Sequence, residues 1–148
     1  MSARALTLKA ALLLGLALPQ ASAMAQSAEQ LFAKKNVTIY IGNTAGGSYD
    51  LYGRMVARFL GKHLPGQPTI VASNMPGAGT LKAANFIYEV APKDGTAIGI
   101  VTETLALEQA VANPAVNFDA TKFIWVGRVA SSNNIHFQWH TAKVQSIE

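Results

Sequence analysis

An α/β fold built on a parallel sheet is predicted for this 148-residue chain, and three observations carry the prediction. Short β-prone runs alternate with longer runs whose apolar residues recur at helical spacing. Turns rich in glycine, proline and asparagine separate the two kinds. The β-prone runs are almost continuously apolar, the pattern of strands buried on both faces. Strand, helix, strand, helix, strand then implies parallel pairing through right-handed crossovers.

The elements follow in order. Val37 to Gly42 (VTIYIG) is β-branched and aromatic and reads as the first strand. From Asp50 to His63, Tyr52, Met55, Val56, Phe59 and Leu60 fall on one helical face, while Arg54, Arg58 and Lys62 share the other as a solvated stripe. Leu64-Pro65-Gly66 stops that helix, and Pro68 to Ala72 (PTIVA) is a second strand. Thr80 to Ala91 reads as a helix with a thin apolar face of Leu81, Ala84, Ile87, Tyr88 and Ala91. Pro92-Lys93-Asp94-Gly95 is turn chemistry, and Thr96 to Val101 (TAIGIV) is a third strand. Leu105 to Ala112 is a further short helix ended by Asn113-Pro114. Phe123 to Val129 (FIWVGRV) and Ile135 to Trp139 (IHFQW) read as strands joined by the polar residues Ser131 to Asn134.

The first 25 residues read as a cleavable export signal. Arg4 and Lys9 give a basic start, Ala10 to Leu18 an apolar centre, and Ala21-Ser22-Ala23 or Ala23-Met24-Ala25 a small-residue cleavage site. The apolar stretch is far shorter than the ~20 residues a bilayer span needs. Cleavage after Ala25 leaves one ordinary domain with a charge balance close to neutral. A soluble periplasmic protein is the expectation, and no nucleic-acid partner is indicated. The lack of cysteine excludes disulfides, thiolate metal sites and a thiol nucleophile.

Two glycine-rich turns, Ala45-Gly46-Gly47-Ser48-Tyr49-Asp50 and Asn74-Met75-Pro76-Gly77-Ala78-Gly79-Thr80, each link a strand to a helix. In a parallel α/β sheet, ligands sit outside the carboxyl ends of the strands, so both turns share that edge. Helix starts expose unpaired amides at the positive end of the macrodipole, which suits a small anion without a cationic side chain. Gly46-Gly47 allows positive φ and close backbone approach, and Ser48 or Asp50 can cap the first helix. Pro76 holds Met75 extended, Gly77 and Gly79 admit a ligand, and Thr80 is a cap for the second helix. Asp50 would repel an anion, so its expected role is structural: capping its own helix or pairing with Arg54 at i+4.

Other chemistries fit less well. The P-loop signature is missing, and Gly77-Ala78-Gly79-Thr80-Leu81-Lys82 carries lysine where a dinucleotide fingerprint needs glycine or alanine. His63, His136 and His140 show no metal-ligand spacing. Ser48 lies in no nucleophile elbow. Trp125 and Trp139 read as core residues. No cofactor is expected.

The two turns, together with Pro68-Thr69-Ile70-Val71, Ala91-Pro92-Lys93-Asp94-Gly95-Thr96 and Phe118-Asp119-Ala120-Thr121-Lys122-Phe123, resemble in order the extracytoplasmic substrate-binding receptors of tripartite tricarboxylate transporters. The resemblance implies a type II periplasmic-binding-protein fold. Two lobes of such a receptor close on a small organic acid and deliver it to the transporter's membrane subunits. It implies that the ligand carboxylate meets Gly46, Gly47, Ser48, Tyr49 and Asp50 in one loop and Asn74, Gly77, Ala78, Gly79 and Thr80 in the other. Thr102 and Thr104, after the third strand, are a further contribution implied by the same resemblance.

Those receptors continue into a second lobe and return to the first. The expectation is therefore an incomplete parallel-sheet lobe over residues 26–122, with residues 123–148 crossing toward a second lobe. A binding protein without catalysis is the leading reading. A periplasmic enzyme using the glycine turns as an oxyanion site lacks an identifiable base and nucleophile, and a non-functional receptor remnant is a third alternative.

Overall fold

The structure, a computed structural model, describes residues 28–131 and, beyond them, Phe137, Trp139, His140, Thr141 and Lys143. The expected export signal lies outside the described residues, as does most of the expected strand at 135–139 and of the polar link before it. The order of elements is α1 (Ala28–Phe32), β1 (Asn36–Ile41), α2 (Ser48–His63), β2 (Thr69–Asn74), α3 (Leu81–Glu89), β3 (Ala97–Ile100) and α4 (Leu105–Ala110). Short 3-10 turns occupy Ala78–Thr80 and Ala120–Lys122. Among the described residues, α1 and the 3-10 turn Ala120–Lys122 have no counterpart in the sequence reading.

The sheet has three parallel strands in the order β2-β1-β3. β1 pairs from Asn36↔Thr69 to Ile41↔Asn74 on one side and from Thr38↔Ala97 to Ile41↔Ile100 on the other. Its central place explains its composition: Val37, Ile39 and Ile41 are completely buried, each such burial being worth about 1.5–3 kcal/mol. Neighbouring residues of a strand point to opposite faces. Ile41 lies against Gly53 of α2, whereas the Tyr40 ring packs edge-on to Phe86 of α3 with centroids 4.9 Å apart. The two crossover helices thus cover opposite faces of the sheet, and the doubly wound parallel arrangement is that of a partial α/β lobe.

α2 meets the sheet through small residues. A Cβ at Gly53 would come within 2.6 Å of Ile41 Cδ1, and one at Gly61 within 2.7 Å of the Pro68 carbonyl oxygen. The inward face therefore runs through Asp50, Gly53, Ala57, Leu60 and Gly61. Of the face expected from periodicity, Val56 and Leu60 are half-buried while Tyr52, Met55 and Phe59 are exposed. Close backbone approach, not side-chain size, chose the buried side. The alanines of α3 act similarly: Ala83 and Ala84 are buried, and Leu81 and Ala84 join Leu105, Phe118 and Ala120 in the second core.

Phe123 to Val129 forms no strand. Of the run Phe123 is partly buried, its ring contacting Tyr88, Phe118 and Trp125, while residues 124–129 are exposed, Ile124 and Val126 about nine-tenths so. The Trp125 indole donates to the Ala120 carbonyl, so ring packing and this bond hold the run over the second core, without a strand partner among the described residues. Trp125, expected in the core, is more than half exposed.

Gly61→Ala tests the close approach of α2. Alanine favours a helix by up to about 1 kcal/mol over glycine, but the clash is with backbone and overpacking costs about 1–3 kcal/mol. Urea unfolding should show a net loss of stability, and an unchanged or raised midpoint would refute the packing account.

Candidate functional site

All three strands end at one edge, and three loops leave from it: residues 42–47, 75–80 and 101–104. The first is held by its own helix. Gly46 adopts φ +87°, which turns its N–H back to Asp50 Oδ2 at 2.9 Å. Arg54 Nε donates to the same oxygen at 3.0 Å. Asn74, which proves to be the last residue of β2 and not part of a turn, donates from Nδ2 to Asp50 Oδ1 at 2.8 Å and to the Asn43 carbonyl at 3.1 Å. Its Oδ1 accepts from Arg54 Nη2 at 2.8 Å.

Asp50 is thus buried, with both oxygens engaged by the protein and its charge matched by Arg54. The i+4 pairing expected from sequence is present. Hydrogen bonds from Arg54 first, then from the Gly46 amide and Asn74, hold the carboxyl down to about 2. The same pairing raises Arg54. Asp50 and Asn74, both expected among the ligand contacts, have their side chains spent on joining the first turn to β2.

The second turn carries a run of positive φ: Gly77 at 151°, Ala78 at 45°, Gly79 at 59° and Thr80 at 78°. Ala78 and Thr80 are side-chain-bearing residues in a region that costs each about 1–3 kcal/mol. Thr80 occupies the cap position of α3, but its hydroxyl makes no cap bond. It is buried instead, with Oγ1 at 3.1 Å from Thr102 Oγ1 and accepting the Thr102 N–H at 3.3 Å. Thr102 Oγ1 lies 2.9 Å from Thr104 Oγ1. Thr80, Thr102 and Thr104 therefore tie the second loop to the third. The predicted capping role of Thr80 is replaced by this tie because its left-handed backbone turns the hydroxyl toward β3.

Ser48 and Tyr49 open α2, whose cap residue Gly47 offers no side chain. The N–H groups of Ser48, Tyr49 and Asp50 precede the first intrahelical bond, which runs from Leu51 N–H to Gly47 O. The second turn is partly closed on itself, since Leu81 N–H returns to Ala78 O. The first helix start is accordingly the more open of the two. A Cβ at Gly46 or Gly79 would meet nothing within 4 Å, so both glycines border free space. The Tyr49 hydroxyl donates to Glu103 Oε2 at 2.9 Å. Burial, and then this bond, raise the Tyr49 phenol, while the Glu103 carboxylate is lowered by its own backbone amide and then by Tyr49. His63 stands at the opposite end of α2 from Ser48, about 22 Å along the axis.

Three residues of this edge were not among the site residues expected from the sequence. Gly42 is one: a Cβ there would lie 2.6 Å from Thr80 Cβ, so only glycine lets the second loop close over β1. Asn43 is another: its Oδ1 is buried with no hydrogen-bond partner among the described residues. Lys82 is the third, lying in the first turn of α3 with its stem across Gly77. A glycine ending a β-run was a usable signal for the first, whereas the other two depend on contacts between distant segments.

Over 76 residues the chain is 41% identical to a "UPF0065 protein in gbd 5'region" of Cupriavidus necator, a match that covers 51% of this chain and 23% of that protein. The chain thus spans about a quarter of the relative's length. No family model matches the chain, and no solved structure matches it.

Because the Asp50 carboxyl is depressed on folding, its contribution is full above the ordinary value of 3.8 and is lost as pH falls toward about 2. Asp50→Asn should lower the unfolding midpoint at about pH 7 and narrow the difference between midpoints at about pH 7 and about pH 2. Equal pH dependence in the two proteins, followed by circular dichroism, would remove Asp50 from the acid response.

Proposed function

We propose that this chain forms part of the first lobe of an extracytoplasmic solute receptor that binds a small organic acid and passes it to the membrane subunits of a tripartite tricarboxylate transporter. The observation carrying this reading is the start of α2: an uncapped helix end on the same sheet edge as the start of α3. The Asp50–Asn74 bond fixes it to β2. Donors held in place before binding lose little freedom when a carboxylate arrives, and the helix dipole adds attraction. Glycine borders the free space on both sides, so the ligand can approach the backbone itself. The ordered motifs quoted above support the same reading. So does the relative, whose name places it in UPF0065, the family of these receptors. Export to the periplasm, directed by residues 1–25, belongs to this proposal.

Ser48→Pro isolates the amides. Proline is tolerated at the first helical position, and Gly47 at φ −83°, ψ 174° already has the extended backbone that a following proline requires. The substitution deletes one N–H while leaving the helix intact. Calorimetric titration with acetate, succinate and citrate should detect binding of at least one. For that ligand Ser48→Pro should weaken affinity by about tenfold to a hundredfold, the value of a hydrogen bond to a charged group, without lowering the thermal midpoint. No binding of any of the three, or equal binding by the variant, would overturn the proposal.

A further inference from the structure

The outward face of α2 is apolar where a helix lying on a sheet is ordinarily polar. Because Asp50, Gly53, Ala57, Leu60 and Gly61 face the sheet, Leu51, Met55 and Phe59 recur every fourth residue on the opposite side, with Tyr52 beside them. Their exposures are 68%, 45%, 49% and 36% respectively. Apolar side chains scattered singly need no explanation, but a contiguous row on one rigid element marks a surface that meets a partner.

Aromatic residues, methionine and arginine are the types enriched in protein interfaces, and this face carries all three. It is also prearranged. The Arg58 guanidinium and the Lys62 ammonium each lie 5.8 Å from the centroid of the Phe59 ring, so these side chains lose less freedom on being covered. Neither cation has an ion pair among the described residues. The acid of α2 is Asp50, which is buried and matched by Arg54.

Charge is thus separated along the helix. Arg58 and Lys62 stand toward its C-terminal end. At its N-terminal end the exposed Glu103 accepts from the Tyr49 hydroxyl at 2.9 Å and has no ion pair among the described residues. What lowers this carboxylate is its own backbone amide and then Tyr49, the Arg128 charge contributing less, so it is free to meet a cation. A second copy laid on this face with its α2 running the opposite way brings the cations at the end of each helix over the acid at the start of the other. Copies running the same way would set like charges together. Rows spaced by four residues are also the ridges that interdigitate in the commonest helix packing. The face is therefore complementary to itself in shape and charge, as a two-fold interface requires.

We propose that the chain forms a two-fold dimer through the Leu51, Met55 and Phe59 row of α2, the two helices running in opposite directions and Arg58 and Lys62 reaching Glu103 of the partner subunit. The association needs no ligand and does not depend on the receptor reading.

Sedimentation equilibrium of the full chain should show monomer and dimer with a dissociation constant of about 1–100 µM, as for a small interface. No larger species should form, since a two-fold contact closes on itself. Met55→Glu should weaken association by about tenfold or more with an unchanged circular dichroism spectrum. Val126→Glu, in the exposed run after Phe123, should leave it as it is. Arg58→Glu combined with Lys62→Glu in one protein, and Glu103→Lys in another, should each be monomeric where the parent is dimeric. An equimolar mixture of those two proteins should recover the dimer, because each supplies the charge the other lost, and that recovery also shows that both are folded. A parent that stays monomeric at about 1 mM overturns the proposal in favour of a different protein as the occupant of this face. Open-ended assembly, a dimer indifferent to Met55→Glu or lost on Val126→Glu, or charge variants that do not rescue one another overturn it as well.

Discussion

The Asp50 carboxylate is the point on which the rest of the edge depends. One side chain takes hydrogen bonds from the Gly46 amide, the Arg54 guanidinium and the Asn74 amide. It thereby locks a turn to the helix that follows it and both to the neighbouring strand. A buried carboxylate is tolerable only if its charge is matched and its oxygens are satisfied, and here both conditions hold. Removing any partner would leave the others exposed to the desolvation cost, so Asp50, Arg54 and Asn74 form one unit. The unpaired amides at the start of α2 are positioned by this unit without being occupied by it.

Much of this was legible in the residues themselves. The strands around VTIYIG and TAIGIV, the placement of both glycine turns at one edge and the Asp50–Arg54 pairing all follow from local chemistry: β-branching, turn glycines and i+4 geometry. What was not legible depends on distance in the chain. Periodicity selects the large apolar residues of α2, but the sheet accepted the small ones, because Gly53 and Gly61 face atoms of β1 and of the residue preceding β2. Thr80 looks like a cap in sequence, yet its left-handed backbone and the nearness of Thr102 give the hydroxyl another partner. Phe123 to Val129 has the composition of a strand, but the ring contacts of Phe123 and the bond from Trp125 to the Ala120 carbonyl hold it over the core and not along an open sheet edge.

The second turn shows how local strain and long-range bonding are linked. Two non-glycine residues are held at positive φ, and that cost must be met elsewhere. The burial of Thr80 under Gly42 and its bond to Thr102 meet it. Exposed charge and strained backbone thus lie within a few residues of one another at Gly77 to Lys82, the pattern expected where stability has been given up for function.

The parallel sheet also fixes when this edge can exist. β1 pairs with residues that lie 33 positions later on one side and 59 on the other, as Asn36↔Thr69 and Thr38↔Ala97 record. Contacts of such sequence separation close slowly, because the chain entropy of each loop is lost before any pairing compensates for it. α2 can form early from its own residues, but its first turn acquires its final setting only when Asn74 arrives, and Thr80 only when Thr102 does. This edge is therefore among the last features to assemble, and its completion reports that the whole sheet has folded.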